Sequence, residues 1–323
     1  MKEILNNYDF LLDAVILLVL ELVYFKLADR YNIIDKPNER SSHTIPTIRG
    51  GGIIFIFSLL LLSIGNYFAY PYLVIAVLLS GAISFIDDIR GLPSLVRFSA
   101  HFISAMLLLL QSDFVTLPIA LLAAIIVLII AIINAYNFMD GINGITGFYS
   151  LAVIVPLLLT EPSEELRELQ VYITVGLLIF LLFNARIKAR CFAGDVGSVS
   201  MAILVVFLLM QRIYTTGNAN YICFLLLYGV DTGMTIAQRL LQKENIFQAH
   251  RKHLFQLLSN EYKLPHLVVA LLYALLQLFI NYYIVHTTDS IWVTVVLGLI
   301  AAAIYILLKK VLLQRVKAST VAP

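Results

Sequence analysis

The sequence predicts an all-α, polytopic membrane protein with about eleven transmembrane helices. Hydrophobic residues make up 61% of the 323 residues and charged residues 13%, and the mean hydropathy is +0.92. A soluble globular domain carries about 25% charged residues, so the composition excludes that class. Long uncharged runs such as 114–133 follow one another along the chain, and each can cross about 30 Å of hydrocarbon as a helix. Because these runs are continuous rather than alternating, they do not predict a transmembrane barrel.

The apolar segments together predict a single integral-membrane domain over residues 1–323. In chain order, the spans are expected at 9–28, 51–68, 72–89, 94–112, 115–134, 145–160, 169–186, 198–215, 220–241, 265–286 and 291–309. An odd number of spans places the two termini on opposite sides of the membrane.

The distribution of Lys and Arg decides which side is which, because cytoplasmic loops carry an excess of both residues. Of the 22 Lys and Arg residues, all but Lys2, Arg167 and Arg212 fall on one side. The N-terminus is therefore expected outside and the C-terminus in the cytoplasm. Five polar segments then share the cytoplasmic face: 35–52, 87–93, 134–144, 192–198 and 250–253. Their convergence predicts one active site on that side.

Two adjacent carboxylates, Asp87 and Asp88, end the third span in the sequence DDIRGLP. Neighbouring helical positions point about 100° apart, so the two side chains are expected to have different roles. A solvated helix end paired with Arg90 is the simpler interpretation, whereas acidic residues at a membrane edge favour a functional one. A further acidic residue, Asp231, lies inside a span two turns before Arg239, and we expect these two to pair.

The segment NAYNFMDGING places Asn134, Asn137 and Asp140 three residues apart, so they share a face if the helix continues to its glycines. Their oxygen atoms suit a hard cation such as Mg²⁺, which takes one or two protein ligands together with substrate phosphates. Gly141 allows the backbone to approach a ligand closely. Polar capping of the helix end is the alternative interpretation.

The segment FAGDVGS contains Asp195 shortly before Ser198, a candidate N-cap for a helix that begins at Val199. A helix N-terminus attracts phosphate, and a carboxylate is compatible with phosphate there when a metal ion bridges the two. We therefore interpret Asp195 as a Mg²⁺ ligand that holds a pyrophosphate. Phe192 is expected either to stack on a base or to lie buried.

Cationic side chains lie in two further loops. The segment HRKH contains His250, Arg251 and His253, and the first cytoplasmic loop contains Arg40, His43 and Arg49. Two His residues alone do not complete a Zn²⁺ site, so hydrogen bonds to phosphate oxygens are the better interpretation. The first loop is the weaker candidate, because positive charge is expected there in any case.

In this order, the motifs resemble those of the bacterial polyprenyl-phosphate N-acetylhexosamine-1-phosphate transferases. That family includes the phospho-MurNAc-pentapeptide translocase and the enzymes that initiate O-antigen and enterobacterial common antigen. The resemblance runs from about Asp35 to Leu258 and rests on DKPNERSSH…RGGG, the Asp-Asp pair, NAYNFMDGING, FAGDVGS and the His-rich loop. It implies transfer of a sugar-1-phosphate from a UDP-N-acetylhexosamine to undecaprenyl phosphate, with release of UMP. The implied cofactor is Mg²⁺, with Mn²⁺ as an alternative.

The resemblance also implies a role for each motif residue. Asp87 and Asp88 correspond to the catalytic acidic pair, and Asp195 and Asn137 to the ligands of the metal and pyrophosphate. The residues on the nucleotide and sugar side are Asn134, Asp140, Gly141, Asn143, Phe192 and Gly194. The residues that contact phosphate are His250, Arg251, His253, Arg40, His43 and Arg97. Arg90 and Arg97 are the cations that follow the acidic pair, where the family often has a Lys.

The sequence HRKH, in place of a triple His, favours the branch that initiates surface polysaccharides such as the O-antigen of lipopolysaccharide. The expected partners are undecaprenyl phosphate, a UDP-N-acetylhexosamine such as UDP-GlcNAc and the lipid bilayer. A homodimer is left open, and no nucleic acid partner is expected. The expected location is the bacterial inner membrane, with the active site facing the cytoplasm.

Three alternatives accompany this interpretation. Within the family, the alternative is phospho-MurNAc-pentapeptide transfer. From other classes, the alternatives are a non-catalytic sensor and a secondary transporter, although transporters usually place such residues near the bilayer midplane. For the reaction itself, a single displacement is favoured over a covalent intermediate on Asp87 or Asp88. The adjacent carboxylates point apart, and a phosphate monoester is already largely dianionic at pH 7.

Overall fold

The computed structural model describes residues 7–37, 45–66, 68–246, 248, 250–286 and 290–321. Its helices, in chain order, are α1 (Asn7–Arg30), α2 (Ile54–Gly65), α3 (Pro71–Arg90), α4 (Ser94–Gln111), α5 (Ile119–Met139), α6 (Ile145–Thr160), α7 (Glu164–Asn184), α8 (Gly194–Thr216), α9 (Leu226–Leu241), α10 (Leu254–Gln256), α11 (His266–Val285) and α12 (Ile291–Val321). Two short strands, β1 (Ile34–Asp35) and β2 (Thr47–Ile48), pair in antiparallel register. The 3-10 turns Gly51–Ile53 and Ala219–Leu225 lead into α2 and α9.

A helix lies at each of the eleven positions where a span is predicted. Eight of the helical segments in the described part of the chain are long and apolar enough to cross a membrane: Pro71–Arg90, Ser94–Gln111, Ile119–Met139, Glu164–Asn184, Gly194–Thr216, Ala219–Leu241, His266–Val285 and Ile291–Arg315. Two more, Gly51–Gly65 and Ile145–Thr160, are apolar but shorter. The chain is therefore a polytopic helical membrane protein, and the count of eleven crossings stays a prediction.

Several helix ends differ from those predicted, and each difference has a local cause. The fifth helix begins after Pro118, at Ile119, and continues through the polar Asn134 to Met139. The seventh begins at Glu164 rather than near residue 169, because the Ser163 hydroxyl accepts a hydrogen bond from Leu166 N. The polar residues at the end of α5 and at the start of α7 therefore belong to the helices, although hydropathy alone predicts loops there.

Helix α8 forms the centre of the bundle. In the apolar stretch of α8, 83% of the residues are buried, whereas in that of α12 only 6% are. The 3-10 turn before α2 packs directly on the first turn of α8, and a Cβ atom at Gly52 would lie 2.3 Å from Gly197 Cα. Glycine at both positions therefore allows two backbones to touch at the end of the central helix.

The chain around this contact is held by backbone hydrogen bonds. Phe192 N donates to Ile48 O at 2.8 Å, Gly51 N donates to Phe192 O at 2.8 Å, and Gly52 N donates to Ala193 O at 3.1 Å. Strand β2 and the glycines that follow it thus run alongside the residues that enter α8. This pairing brings two of the predicted motifs, RGGG and FAGDVGS, into one structure.

Candidate active site

A polar pocket of about 250 Å³ lies where the ends of α3, α5 and α8 meet the β1–β2 hairpin. Eight of the residues predicted for the site line it: Asp88, Asn137, Asp140, Gly141, Asn143, Phe192, Gly194 and Asp195. The other lining residues are Asp35, Arg49, Ile142, Asn184, Ala193, Gln256 and His266. Because Asp35 and Arg49 belong to the segment 35–52, four separate motifs of the sequence converge on one pocket.

Asp88 is held at the pocket wall by Arg49. Arg49 Nη2 lies 2.6 Å from Asp35 Oδ1, while Nη1 donates to Asp88 O at 2.8 Å and lies 3.4 Å from Asp88 Oδ1. The second oxygen, Asp88 Oδ2, accepts a hydrogen bond of 2.8 Å from Asp195 N. A Cβ atom at Gly194, which has φ +68°, would lie 2.9 Å from Asp88 Oδ2, so glycine is required there.

Asp87 faces a different neighbourhood from Asp88, as their spacing predicts. Asp87 Oδ1 accepts a hydrogen bond from Leu92 N at 2.5 Å, and Oδ2 lies 3.0 Å from Arg97 Nη1. The cation that pairs with Asp87 is therefore Arg97 rather than Arg90. Neither Asp87 nor Arg97 lines the pocket.

Asp195 lies in the first turn of α8, because the helix begins at Gly194. The prediction that Ser198 caps a helix starting at Val199 is wrong. The Ser198 hydroxyl donates to Gly194 O at 3.3 Å and accepts a hydrogen bond from Asn137 Nδ2 at 3.3 Å. The Asn137 side chain also interacts with the Asp195 carboxylate, so the amide of α5 and the carboxylate of α8 lie together in the pocket.

Asp140 caps α5 and lies beside these groups. Its Oδ1 accepts a hydrogen bond of 2.6 Å from Thr146 Oγ1. Burial raises the pKa of the Asp140 carboxyl to about 7, although the Thr146 hydroxyl and its hydrogen bond oppose the shift. Asn134 lies one turn before Asn137 but does not line the pocket, because its amide donates to Ile130 O at 2.8 Å within its own helix.

Asn143 combines pocket lining with a structural task. Its amide Nδ2 donates to Arg186 O at 2.7 Å, which ties the turn after α5 to the loop between α7 and α8. Asn184 completes this tie, because Oδ1 accepts from Gly144 N at 2.7 Å and Nδ2 donates to Cys191 O at 2.9 Å. A second cavity, of about 380 Å³, adjoins this loop and shares Asn143, Phe192 and His266 with the polar pocket.

The HRKH loop does not line the pocket. His253 is buried, and its Nδ1 lies 3.2 Å from Asp231 Oδ1. The expected pairing of Asp231 with Arg239 is wrong, because the Asp231 carboxylate instead contacts His253 and accepts hydrogen bonds from the residues that follow it. Its other donors are Leu254 N at 3.0 Å, Phe255 N at 3.4 Å, Tyr273 OH at 2.7 Å, Tyr305 OH at 3.2 Å and Thr235 Oγ1 at 3.4 Å.

Arg239 organises the other half of the same loop. Its Nε lies 3.2 Å from Glu244 Oε2, Nη1 donates to Ile246 O at 3.0 Å and Nη2 donates to Gln248 O at 3.0 Å. The buried Asp231 and Arg239 thus hold the two ends of the cationic segment that contains His250 and Arg251. Arg40 and His43 lie outside the described residues.

Gln256, which the sequence interpretation missed, is where this loop reaches the pocket. Its Oε1 accepts a hydrogen bond from His253 N at 3.3 Å, and its side chain lines the pocket wall. Next to it, the buried Phe255 ring packs on Gly141, where a Cβ atom would lie 2.9 Å from the ring. The available signal was the position of Gln256 three residues after His253, the N-cap of α10, which is the spacing of a capping box.

The pocket is rich in carboxylates. Asp35, Asp88, Asp140 and Asp195 line it together with a single arginine, Arg49. In the part of the chain that the structure describes, no three His, Cys, Asp or Glu side chains form a group that could hold a metal ion by themselves. The carboxylate and amide oxygens present do fit Mg²⁺, which takes one or two protein ligands and completes its shell with substrate oxygens and water.

The family comparison covers this part of the molecule. The model of glycosyl transferase family 4 matches residues 70–213, which run from α3 to α8 and contain the Asp-Asp pair, NAYNFMDGING and FAGDVGS. That family contains the phospho-sugar transferases, and the matched stretch is similar to them. A comparison with curated proteins gives no match.

Proposed function

We propose that the protein transfers a sugar-1-phosphate from a UDP-N-acetylhexosamine to a polyprenyl phosphate and releases UMP. The observation that carries the proposal is the pocket itself. It places Asp88, Asn137, Asp140 and Asp195 side by side at the ends of apolar helices, within the stretch that matches the family. Carboxylates and amides at such a boundary suit a reaction between a soluble phosphorylated donor and a lipid held in the bilayer.

Mg²⁺ is the cation that this donor set fits, and we propose that Asp195 and Asn137 hold it. When bound, the ion would neutralise charge on the diphosphate and stabilise the charge that develops in the transition state. The chain supports this geometry on its own. Asp195 is fixed by its position in the first turn of α8 and by the bond from its N–H to Asp88, while Ser198 holds the Asn137 amide.

The nucleotide side of the substrate is proposed to lie toward Asp140, Gly141, Asn143 and Phe192. The Phe192 ring is half-buried and lines both the polar pocket and the adjoining cavity. A ring in that position can stack on a base. Two cations, Arg186 and Lys188, line the adjoining cavity and can meet negative charge of the donor.

The lipid acceptor is proposed to approach from the side of α4. Arg97 pairs with Asp87 next to the pocket-lining Asp88. An apolar cleft of about 510 Å³ between α4 and α5 begins at Phe98, the residue after Arg97, and extends to Leu110 and Ile119. An isoprenoid chain in this cleft would place its phosphate near the acidic pair.

A single displacement fits the side chains better than a covalent intermediate. Both oxygens of Asp87 are engaged by Leu92 N and Arg97, and both oxygens of Asp88 are engaged by Asp195 N and Arg49. A carboxylate held in this way is placed to orient a phosphate and accept a residual proton. In-line transfer of this kind depends mainly on positioning and charge neutralisation.

The branch of the family is proposed from the HRKH loop. It supports a small N-acetylhexosamine and the first membrane step of a surface polysaccharide such as O-antigen, on the cytoplasmic side of the inner membrane. The test is UMP release by purified protein with undecaprenyl phosphate, Mg²⁺ and a panel of UDP-sugars that includes UDP-GlcNAc and UDP-MurNAc-pentapeptide. Release with one small UDP-sugar supports the proposal, release with the pentapeptide donor alone redirects it to the other branch, and no release with any donor refutes it.

A further inference from the structure

A second polar cleft lies between α9 and α12, apart from the candidate active site. It has a volume of about 390 Å³ and is lined by Met234, Gln238, Tyr305, Ile306, Lys309, Lys310, Leu313 and Gln314. The cleft between α4 and α5 has a purely apolar wall, whereas this one combines apolar side chains with two lysines and two glutamines. That composition indicates a ligand with both a polar, anionic part and an apolar part.

The position of the lysines on α12 corresponds to a membrane boundary. Trp292, near the start of α12, is 71% exposed, and Lys309 lies 17 residues further along, which is about 26 Å at the helical rise per residue. That length is close to the hydrocarbon thickness of about 30 Å. Trp and Lys are typical residues at the two edges of a bilayer, so the lysines lie at the level of phospholipid head groups.

The polarity of the cleft changes along its length in the direction that a lipid requires. On α9, Met234 precedes Gln238 by one turn, and on α12, Ile306 precedes Lys310 by one turn. Met234 and Ile306 therefore lie toward the middle of the membrane, and the amides and lysines lie toward its edge together with one apolar residue, Leu313. A phospholipid has the same arrangement, with its acyl chains toward the middle of the membrane and its head group at the edge.

Lys309 is built into the protein rather than free at its surface. It is buried, its Nζ donates to Tyr305 OH at 2.7 Å and to Thr235 Oγ1 at 3.4 Å, and it lies 5.0 Å from the centroid of the Tyr305 ring. Within the described residues, neither Lys309 nor Lys310 forms an ion pair with a carboxylate. The Asp231 carboxylate, to which Tyr305 OH and Thr235 Oγ1 both donate, compensates part of the charge of Lys309. The exposed Lys310 is therefore the cation that favours an external anion.

We propose that this cleft binds an anionic phospholipid of the surrounding bilayer, with its phosphate at the exposed Lys310, beside Lys309. Basic pockets between transmembrane helices at a membrane edge are a recurrent form of lipid site. The small buried share of α12, 6%, leaves the cleft open to lipid from the side. The proposal concerns a site separate from the transfer reaction and does not depend on it.

Native mass spectrometry of the purified, delipidated protein tests the proposal with equal amounts of phosphatidylglycerol and phosphatidylcholine. The wild-type protein should retain phosphatidylglycerol in preference to phosphatidylcholine. Lys310→Gln, at an exposed position, should weaken this retention about fivefold, the effect of one Lys near an anionic lipid. Lys26→Gln, at an exposed lysine near the end of α1, serves as the matched control and should leave retention unchanged.

Replacing the buried Lys309 can destabilise the protein, so Met234→Trp is the second variant. It fills the apolar end of the cleft, keeps both lysines and should also lower the retention of phosphatidylglycerol. The unfolding temperature checks that the variant is folded. Equal retention of the two lipids by the wild-type protein, or unchanged retention by Lys310→Gln and Met234→Trp, would overturn the proposal. Displacement of phosphatidylglycerol by an equal amount of undecaprenyl phosphate would overturn it in favour of the acceptor lipid.

Discussion

The acidic residues in the pocket and next to it differ in the groups that already bind them. Asp87 is paired with Arg97 and Asp88 with Arg49, so each carries a compensating charge. Asp195 has the neutral amide of Asn137 as its side-chain partner, and Arg49 and Arg97 act on it from a distance rather than in a direct ion pair. A partly buried carboxylate without a direct ion pair favours an external cation more than Asp87 or Asp88 does.

Asp195→Asn should therefore abolish turnover while leaving the fold intact. The loss should correspond to several kcal/mol in the barrier, the order of charge stabilisation that a metal ion supplies. The measurements are UMP release and the unfolding temperature in detergent. Asp29→Asn, at an exposed position near the end of α1, is the control and should retain activity, whereas near-normal turnover by Asp195→Asn would show that this carboxylate is not the metal ligand.

Gln256 offers a test of how the last cytoplasmic loop takes part. Its Oε1 is engaged by His253 N, which leaves the Nε2 amide as a donor at the pocket wall. Gln256→Leu should raise the KM for the UDP-sugar about three- to tenfold with little change in kcat, since one neutral hydrogen bond contributes about 0.5–1.5 kcal/mol.

The matched control for Gln256 is Gln248→Leu, in the same loop but with an exposed side chain. It should leave KM unchanged. Asp231→Asn should raise the KM in the same direction, because Asp231 holds His253, Leu254 and Phe255 in place. In the double variant with Gln256→Leu the two effects should not add, and full additivity would argue against a shared role.

At the scale of elements, the contact between the glycine turn before α2 and the start of α8 positions the pocket. A Cβ atom at Gly52 would lie 2.3 Å from Gly197 Cα, a backbone atom that cannot rotate away. Gly52→Ala should therefore lower the free energy of unfolding by about 3 kcal/mol or more, at the upper end of overpacking effects, and should also impair turnover.

Gly298→Ala is the control for this substitution, because Gly298 lies in α12 with nothing within 4 Å of the added Cβ. It should change stability by about 1 kcal/mol at most, in the stabilising direction. The unfolding temperature of both variants in the same detergent provides the comparison. Similar small changes in both variants would mean that the two backbones can separate at little cost.

The loop between α9 and α10 should be sensitive to acid. Burial and the neighbouring His253, Arg239 and Lys252 lower the pKa of His250 from 6.5 to about 4. When folding lowers the pKa of a His, the folded state is most stable at pH values above the pKa of the unfolded chain, 6.5. This stability is lost as the pH falls from 6.5 toward 4, because the unfolded chain then binds the proton more readily than the folded one. The unfolding temperature of the wild-type protein should therefore drop more than that of His250→Asn between pH 7 and pH 4.5, and equal drops would contradict the shift.

The sequence predicted the positions of the helices better than the contacts of the site. Uncharged runs long enough to span a bilayer have few alternatives to a helix, so α3, α4 and α11 lie close to their predicted bounds. The partner of Asp231 could not be predicted, because His253 is separated from it by a loop rather than by helical turns. Gln256 was missed for the same reason, since its place depends on how that loop folds back onto Gly141.

The structure therefore brings the central residues of the predicted site together in one pocket and leaves several of the others outside it. The motifs on α3, α5 and α8 converge because those helices end at one place, which a common face of the membrane already implied. Asn134 lies outside the pocket because an Asn inside a helix can bond to the carbonyl four residues earlier, as it does with Ile130. Periodicity alone does not distinguish that choice from a side chain that faces a ligand.

At the scale of the whole molecule, the order of burial runs from α8 at the centre to α12 at the edge. Many large apolar side chains remain exposed, for example Leu159 at 79% and Phe279 at 74%. In a membrane these surfaces face acyl chains, so they cost nothing there and would drive aggregation in water. The fold is therefore stable only with lipid or detergent around it.

The direction of the molecule in the membrane is the remaining global prediction. The excess of Lys and Arg on one side predicts that the pocket faces the cytoplasm and that Ser163, just before α7, lies outside. Ser163→Cys should react with an impermeant thiol reagent in intact cells, whereas Ser94→Cys, at the start of α4, should react only after the cells are opened. The native Cys191 and Cys223 are buried, so they should contribute little background. Labelling of Ser94→Cys in intact cells would show that the orientation is the reverse. The pocket and the proposed site of the UDP-sugar donor would then face the outside of the cell.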